Sequence, residues 1–209
     1  MKKIPTIFPK DPNNLSIVIK NNPINNINHF KIKIDGTACL IKNEILYARY
    51  DAKLFKKKKG KIINFSKEEI INKLPEGAIP CQEPDKLSGH WPHWVPVNNN
   101  PEYKYILEAF NNLKNKIDGT YECVGPKINN NPHNESKHIL IPHFEKNLII
   151  NIDNKDIHLY DYLNFFLKDF PYEGLVAYNN KNEPIAKIRR SDFGYSKIKY
   201  NKASELIEG

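Results

Sequence analysis

The sequence predicts an α+β fold assembled mostly from short antiparallel strands. Two observations carry that class. Apolar and polar residues alternate with a period of two over several short segments joined by tight-turn residues, and the two clearest helix-periodic stretches stand apart from them instead of alternating with them strand by strand. The 209 residues suffice for one domain with a sizeable core. A single domain over 1–209 is expected, because no repeat and no linker divides the chain.

Taken in order, residues 1–26 are rich in Pro and Asn and hold one apolar run, Leu15-Ser16-Ile17-Val18-Ile19, so they are expected to be a poorly ordered segment or an edge strand. Segments 29–34, 37–42 and 44–50 read as a meander, with turns at Asp35-Gly36 and Lys42-Asn43. The period of two sets Lys33 and Asp35 on one face and Ile32 and Ile34 on the other. Lys56, Lys57, Lys58 and Lys59, followed by Gly60, form a charge run expected at a loop tip. Ser66-Lys67-Glu68-Glu69 is a capping box opening a short helix that ends before Pro75. Residues 80–96, with both tryptophans, are expected to be irregular. His90 and His93 have no third ligand at a defined spacing, so a structural or substrate-packing role is favoured over metal binding.

Asn100-Pro101 opens a helix over 101–115, with Ile106, Phe110 and Leu113 at helical spacing. Strands follow at 119–125, 138–141 and 148–152, around an Asn/Pro/His-rich loop at 129–133. A second amphipathic helix spans 156–169, carries Leu159, Tyr162, Leu163, Phe166 and Leu167, and is closed by Pro171. Two last strands, 174–178 and 184–190, are joined by a turn, and 191–209 reads as a short polar tail.

Lys+Arg number 32 against 24 Asp+Glu, a formal net charge of +8. That excess suits a polyanionic partner such as nucleic acid or a nucleotide, although heavy use of Asn, Ile and Lys of the kind AT-rich coding produces supplies part of it. Cys39, Cys81 and Cys123 are odd in number and form no C-x-x-C pair, which argues against a disulfide framework or a zinc ribbon and for a reducing compartment. The N-terminus lacks an apolar signal region, and no apolar run approaches the ~18 residues that span a bilayer. The expectation is a soluble intracellular protein, cytoplasmic or nuclear, with no membrane partner and monomeric.

Lys33-Ile34-Asp35-Gly36 is the candidate for chemistry. An amine at a rigid strand end, with a carboxylate two residues on and a glycine turn beside it, suits nucleophilic attack on phosphorus or carbonyl carbon. Alone the pattern is weak and favours a solvated strand end followed by an Asp-Gly turn. Three further patterns follow in order: Tyr121-Glu122-x-x-Gly125, Glu173-Gly174-Leu175-Val176 and Lys187-x-Arg189. The ordered set resembles motifs I, III, IV and V of the covalent nucleotidyltransferases, the superfamily of polynucleotide ligases and mRNA capping enzymes. Within it the chain is most similar to the RNA ligase 1 family of ATP-dependent 5′-to-3′ RNA ligases. That likeness covers most of the chain. It rests on Lys33 to Thr37, on Ala48-Arg49-Tyr50-Asp51-Ala52-Lys53, on Gln82-Glu83-Pro84-Asp85 with Gly89-His90-Trp91-Pro92-x-Trp94-Val95-Pro96-Val97, and on the Gly119 and Glu173 motifs.

The resemblance implies a nucleotidyltransferase domain of ligase type, with two antiparallel sheets, flanking helices and no OB domain. About 20 residues follow motif V, too few for a further domain of roughly a hundred. It implies a three-step reaction: Lys33 attacks the α-phosphorus of ATP to give lysyl-AMP, AMP passes to an RNA 5′-phosphate, and a 3′-hydroxyl displaces it. The attacking amine must be neutral, and its ordinary pKa of about 10.4 is lowered by desolvation and by neighbouring cations. Lys187 and Arg189 are those cations and would also stabilise charge on the α-phosphate. Glu173, with Asp35, would hold Mg²⁺ or Mn²⁺; Glu122 would accept from a ribose hydroxyl, and Arg49 would contact the nucleotide. Lys53 and Lys56, Lys57, Lys58 and Lys59 are candidates for holding RNA, the charge run reading also as an ordinary solvated loop. Two positions depart from related enzymes. Ala38 stands where DNA ligases usually carry arginine, and Lys187-x-Arg189 replaces the commoner lysine pair. A DNA ligase, a capping-type guanylyltransferase and a catalytically silent RNA-binding module are the alternatives.

Overall fold

The computed structural model describes residues 3–58, 61–85, 88–98, 100–150 and 158–207. In chain order the strands are β1 (His29–Lys33), β2 (Thr37–Lys42), β3 (Ile45–Lys53), β4 (Phe55–Lys58) and β5 (Lys61–Asn64). Helix α1 (Lys67–Ile71), β6 (Ile79–Pro80), β7 (His90–Pro96), α2 (Lys104–Asn111), β8 (Gly119–Val124), β9 (Ile139–Pro142) and β10 (Ile149–Ile150) follow. The chain then forms α3 (Leu159–Lys168), β11 (Gly174–Tyr178) and β12 (Pro184–Arg189). The class is α+β with mostly antiparallel sheets and few helices, as expected. Among the described residues no helix is long and apolar enough to cross a membrane.

The chain divides into two compact units. The first comprises residues 1–3, 37–123 and 137–143; the second comprises 4–36, 124–136 and 144–209. The first unit holds a six-stranded sheet in the order β6-β7-β3-β2-β8-β9 and the β4-β5 hairpin. Alternation sorts its inner strands: Cys39, Ile41, Ala48, Val95, Tyr121 and Cys123 are all buried on one face. The second unit holds a four-stranded antiparallel sheet, β10-β1-β11-β12. Ile32, Leu175 and Ile188 line up across three of its strands and bury one face, joined by Phe30, Ala177 and Ala186 in the next row. That buried row anchors the strands whose opposite face carries the candidate site.

Three expectations need correction. Residues 90–96 are not irregular, although 81–85, 88 and 89 are, because β7 pairs with β3 along its whole length, from Lys53 opposite His90 to Tyr47 opposite Pro96. Its prolines are tolerated by parity. Val97 N–H donates toward β3, to Leu46 O at 2.9 Å, so Pro92 and Pro96, one step out of phase, turn their missing N–H groups to the other side, where β6 pairs only with His93 and Trp94. The lysine run is not simply a loop tip: Lys56, Lys57 and Lys58 lie in β4 opposite Ile63, Ile62 and Lys61, while Lys59 lies outside the described residues. The first long helix is shorter than expected, a 3₁₀ turn Pro101–Tyr103 capped by Asn100 and then α2, which stops at Asn111. Residues 151–157, where the strand at 148–152 and the helix at 156–169 were expected to end and begin, lie outside the described residues.

Among the described residues, both terminal segments are anchored. Residues 15–19 form no strand beyond a bridge between Lys10 and Val18, but Ile7, Phe8 and Val18 are buried. Phe8 packs edge-on against Tyr160 and Phe193, which gives this Pro/Asn-rich segment the apolar anchor its composition hides. At the other end, Tyr200 and Ala203 are buried, and the backbone of Tyr200, Asn201 and Ser204 donates to Pro132 O, Pro171 O and the Glu135 carboxylate.

Candidate functional site

The site is built on the opposite, basic face of the four-stranded sheet. Lys33 of β1 stands opposite Gly174 of β11, which stands opposite Arg189 of β12; two residues along, Lys31, Val176 and Lys187 form a parallel row. Period-two alternation therefore puts Lys31, Lys33, Lys187 and Arg189 on one face, with Ile32, Leu175 and Ile188 behind them. The middle of the first row needs a glycine. A Cβ at Gly174 would lie 2.1 Å from Ile188 O and 2.7 Å from Arg189 Cα.

Glu173 ends the approach to β11 and pairs directly with the Lys33 amine. Both side chains are largely withdrawn from solvent, 22% and 16% exposed, so the contact is only weakly screened. Burial lowers the Lys187 pKa, and the charges of Lys33 and Arg189 lower it further. The backbone of Lys187 is pinned from the far side: Ile7 N–H donates to Lys187 O and Lys187 N–H donates to Pro5 O, both at 2.9 Å. Arg189 is held by a residue not expected from sequence. Fully buried Asp192 accepts from its Nε at 3.2 Å and its Nη2 at 2.8 Å, and also pairs with Lys10 at 2.7 Å. Hydrogen bonding to Asp192 raises the Arg189 pKa. The adjacent Arg190 serves the fold, its Nη1 donating to Leu167 O and Lys168 O at 2.6 Å at the end of α3.

Asp35 is fixed at the turn after β1. Its Oδ1 accepts from Asn129 Nδ2 at 3.1 Å, and the same amide donates to Gly36 O at 2.7 Å. The Asp35 N–H donates to Nε2 of fully buried His133 at 3.1 Å, while Nδ1 of that ring lies 2.8 Å from Asn201 O. This pattern requires the neutral tautomer with the proton on Nδ1. Asp35, Glu173, Arg189, Lys197 and Tyr200 line a small cavity of about 140 Å³. Burial, and then the charges of Glu173 and Asp35, push the Tyr200 hydroxyl up to about 12, so it stays a neutral donor beside two carboxylates.

Lys33, Glu173, Lys187 and Arg189 thus come together in the second unit, with Asp35 on the Glu173 and Arg189 cavity. Arg49 and Glu122 belong to the first unit. Glu122 stands opposite Ala38 on β2, and its carboxylate pairs with His143 Nε2 at 3.2 Å. Arg49 lies on β3, where its Nε donates to Asp51 at 3.1 Å. Extending the register by one rung past Cys39 and Ala48 sets Ala38 opposite Arg49, so Arg49 and Glu122 share a face with one strand between them.

His93 is a structural residue. It is buried, its Nδ1 lies 2.8 Å from Trp91 O, and burial lowers its pKa. Among the described residues no group of three or more His, Cys, Asp or Glu could hold a metal ion. Mg²⁺ in phosphate chemistry commonly takes only one or two protein carboxylates, with substrate phosphates and water completing its shell. Asp35 and Glu173, bordering one cavity, fit that smaller requirement.

No family model and no curated protein matches the chain. The residues the sequence reading missed are those that position others: Asp192, Asn129, His133, Tyr200 and Lys10. Asp192 alone had a local signal, since it lies three residues after Arg189 and caps its backbone N–H at 2.8 Å.

Proposed function

We propose that the protein is an ATP-dependent RNA ligase with a nucleotidyltransferase fold, working through a covalent lysyl-AMP at Lys33. One observation carries the reading. A strand-end lysine sits in a single rung with Gly174 and Arg189, paired to Glu173 and with the half-buried Lys187 on the same face. Nucleophile, carboxylate and two cations on one rigid surface are what transfer of a nucleotidyl group to an amine requires.

The unprotonated Lys33 Nζ attacks the α-phosphorus of ATP. A P–N bond forms, the bond to pyrophosphate breaks, and the amine sheds a proton to solvent. Freed from Glu173, Lys33 faces Lys187 and Arg189, which favour its neutral form and offset charge gathering on the α-phosphate. Glu173 and Asp35 would hold a Mg²⁺ or Mn²⁺ ion, which supplies charge neutralisation on the phosphates. An RNA 5′-phosphate oxygen then takes the adenylyl group, the P–N bond breaks and Lys33 leaves as the amine. Attack by a 3′-hydroxyl on the 5′-phosphorus releases AMP and closes the phosphodiester. Glu122 is assigned to a ribose hydroxyl and Arg49 to the nucleotide or its ribose.

The test is incubation with labelled ATP or GTP and Mg²⁺, followed by denaturing electrophoresis and by joining assays on 5′-phosphate RNA and DNA ends. An adduct from ATP and joining of RNA are expected. A GTP-only adduct would indicate capping chemistry, DNA-only joining a DNA ligase, and no adduct a silent binding module.

A further inference from the structure

A second cavity, of about 640 Å³, lies wholly in the first unit, around the β4-β5 hairpin. Its volume falls in the range of small-ligand sites, roughly 300–1,000 Å³. Among the described residues its walls combine three aromatic rings, Tyr50, Phe55 and Phe65, with three lysines, Lys53, Lys56 and Lys73, and one acidic residue, Asp51. The Lys73 amine lies over the Phe65 ring, 4.8 Å from its centre, and the Lys56 amine over it at 5.8 Å, so cations and aromatic rings are interleaved in this cavity. Tyr50 is 47% exposed.

The platform is built in. Phe55 lies against Gly89, where an added Cβ would come within 2.6 Å of its ring and where φ is +68°. Phe65 is tied by its N–H to Leu54 O at 2.7 Å, and it packs on the cluster of Ala52, Ile70 and Trp91. These contacts give Gly89 a role: it lets the Phe55 ring close one side of the cavity.

We propose that this cavity binds a nucleobase of a single-stranded nucleic acid, with the flanking phosphates on Lys53, Lys56 and Lys73. Three cations to one anion favour a polyanion, and rings beside those cations favour one that also carries stackable bases. An apolar peptide or lipid would use the rings and leave the positive charge of the lysines unneutralised. The inference draws on the first unit alone and is independent of the chemistry assigned to Lys33.

Binding is read by fluorescence anisotropy with the full chain carrying Lys33→Ala, without ATP, so that failure here and failure of the ligase reading are separable. Probes are a labelled decauridylate, an abasic strand of equal length, and uridine monophosphate as competitor. The decauridylate is expected to bind more tightly than the abasic strand. Phe65→Leu, which keeps apolar bulk but loses the ring, should weaken its binding roughly fivefold to a hundredfold. Lys73→Gln should reduce the slope of log affinity against log salt by about 0.7. Equal affinity for the base-bearing and abasic strands overturns the proposal, as does an unchanged affinity in a folded Phe65→Leu protein. Uridine monophosphate competing as well as the strand would make the occupant a free nucleotide and also overturn it. Should Phe65→Leu fail to fold, the comparison of the two strands on the parent chain still decides.

Discussion

Replacing Gly174 by alanine should damage stability and the site together. The added Cβ would stand 2.1 Å from Ile188 O, 2.7 Å from Arg189 Cα and 3.0 Å from Ile188 C. All three atoms are backbone of β12, so no side-chain rotation relieves the clash, and the strands must part by about 1 Å at this rung. Overpacking costs about 1–3 kcal/mol, and a stretched ladder hydrogen bond about 1 kcal/mol more, for a total of about 2–4 kcal/mol. At this chain length each kcal/mol moves Tm by about 2–4 °C, which predicts a drop of about 5–15 °C in a circular dichroism melt. The same separation shifts Arg189 away from Lys33, so labelling by ATP should fall as well. Gly194→Ala is the control. Its φ of +83° adds backbone strain, but the nearest atom to a new Cβ is Ile17 Cγ2 at 3.9 Å, so the loss should be about 1 kcal/mol with labelling retained. A Gly174→Ala protein melting within about 1 °C of the parent would refute the close-approach argument.

Lys187→Met should separate stability from function. Burial and the charges of Lys33 and Arg189 lower the Lys187 pKa, so its folded-state charge is a cost below that pKa and is relieved as pH rises towards the ordinary value. The neutral variant should therefore melt no lower than the parent at pH 7 while labelling falls at least tenfold; a fall in Tm with labelling intact would contradict this. Asp192→Asn should act through acid. Burial alone would raise this carboxyl, but hydrogen bonds from Arg189 and Lys10 hold its pKa below the ordinary 3.8. Its stabilisation is thus fully present above about pH 3.8 and disappears as pH falls through the lower folded value. Urea midpoints should show a loss of about 2–3 kcal/mol at pH 7, less than for a wholly enclosed pair because Lys10 and Arg189 are partly exposed, and the deficit should shrink on acidification. A deficit constant from pH 7 to about pH 2.5 would assign it to packing instead. His133→Ala should leave the Asp35 N–H unpaired and loosen the turn that follows Lys33; a smaller kcat for labelling with little change in KM is the expected readout.

Where apolar residues on one face of a strand alternate with polar or smaller ones on the other, the sequence alone located the element. The alternation through Phe30 to Lys33, Leu175 to Ala177 and Ala186 to Arg189 put the sheet rows, and the basic side chains on them, within reach of simple periodicity. β7 escaped because Pro92 and Pro96 read as strand breakers, and only the parity of its hydrogen bonding shows that both turn to the side where pairing is sparse. The β4-β5 hairpin escaped because a lysine run carries no alternation to read. At the site, Lys33, Glu173, Lys187 and Arg189 were legible as a candidate set, and the fold brings them together. Their supports were not legible, because Asn129, His133 and Tyr200 are brought to Asp35 by contacts across 94, 98 and 165 positions of chain that no local pattern encodes.

The central claim is that Lys33 becomes covalently adenylylated. It is tested most directly by incubating the protein with ATP and Mg²⁺, digesting it under mildly alkaline conditions that spare a P–N bond, and sequencing the modified peptide by mass spectrometry. The account predicts one AMP group on the Lys33 amine, lost on brief acid treatment and absent from Lys33→Ala. AMP on any other residue, or an unmodified Lys33 peptide in a folded protein, would contradict it.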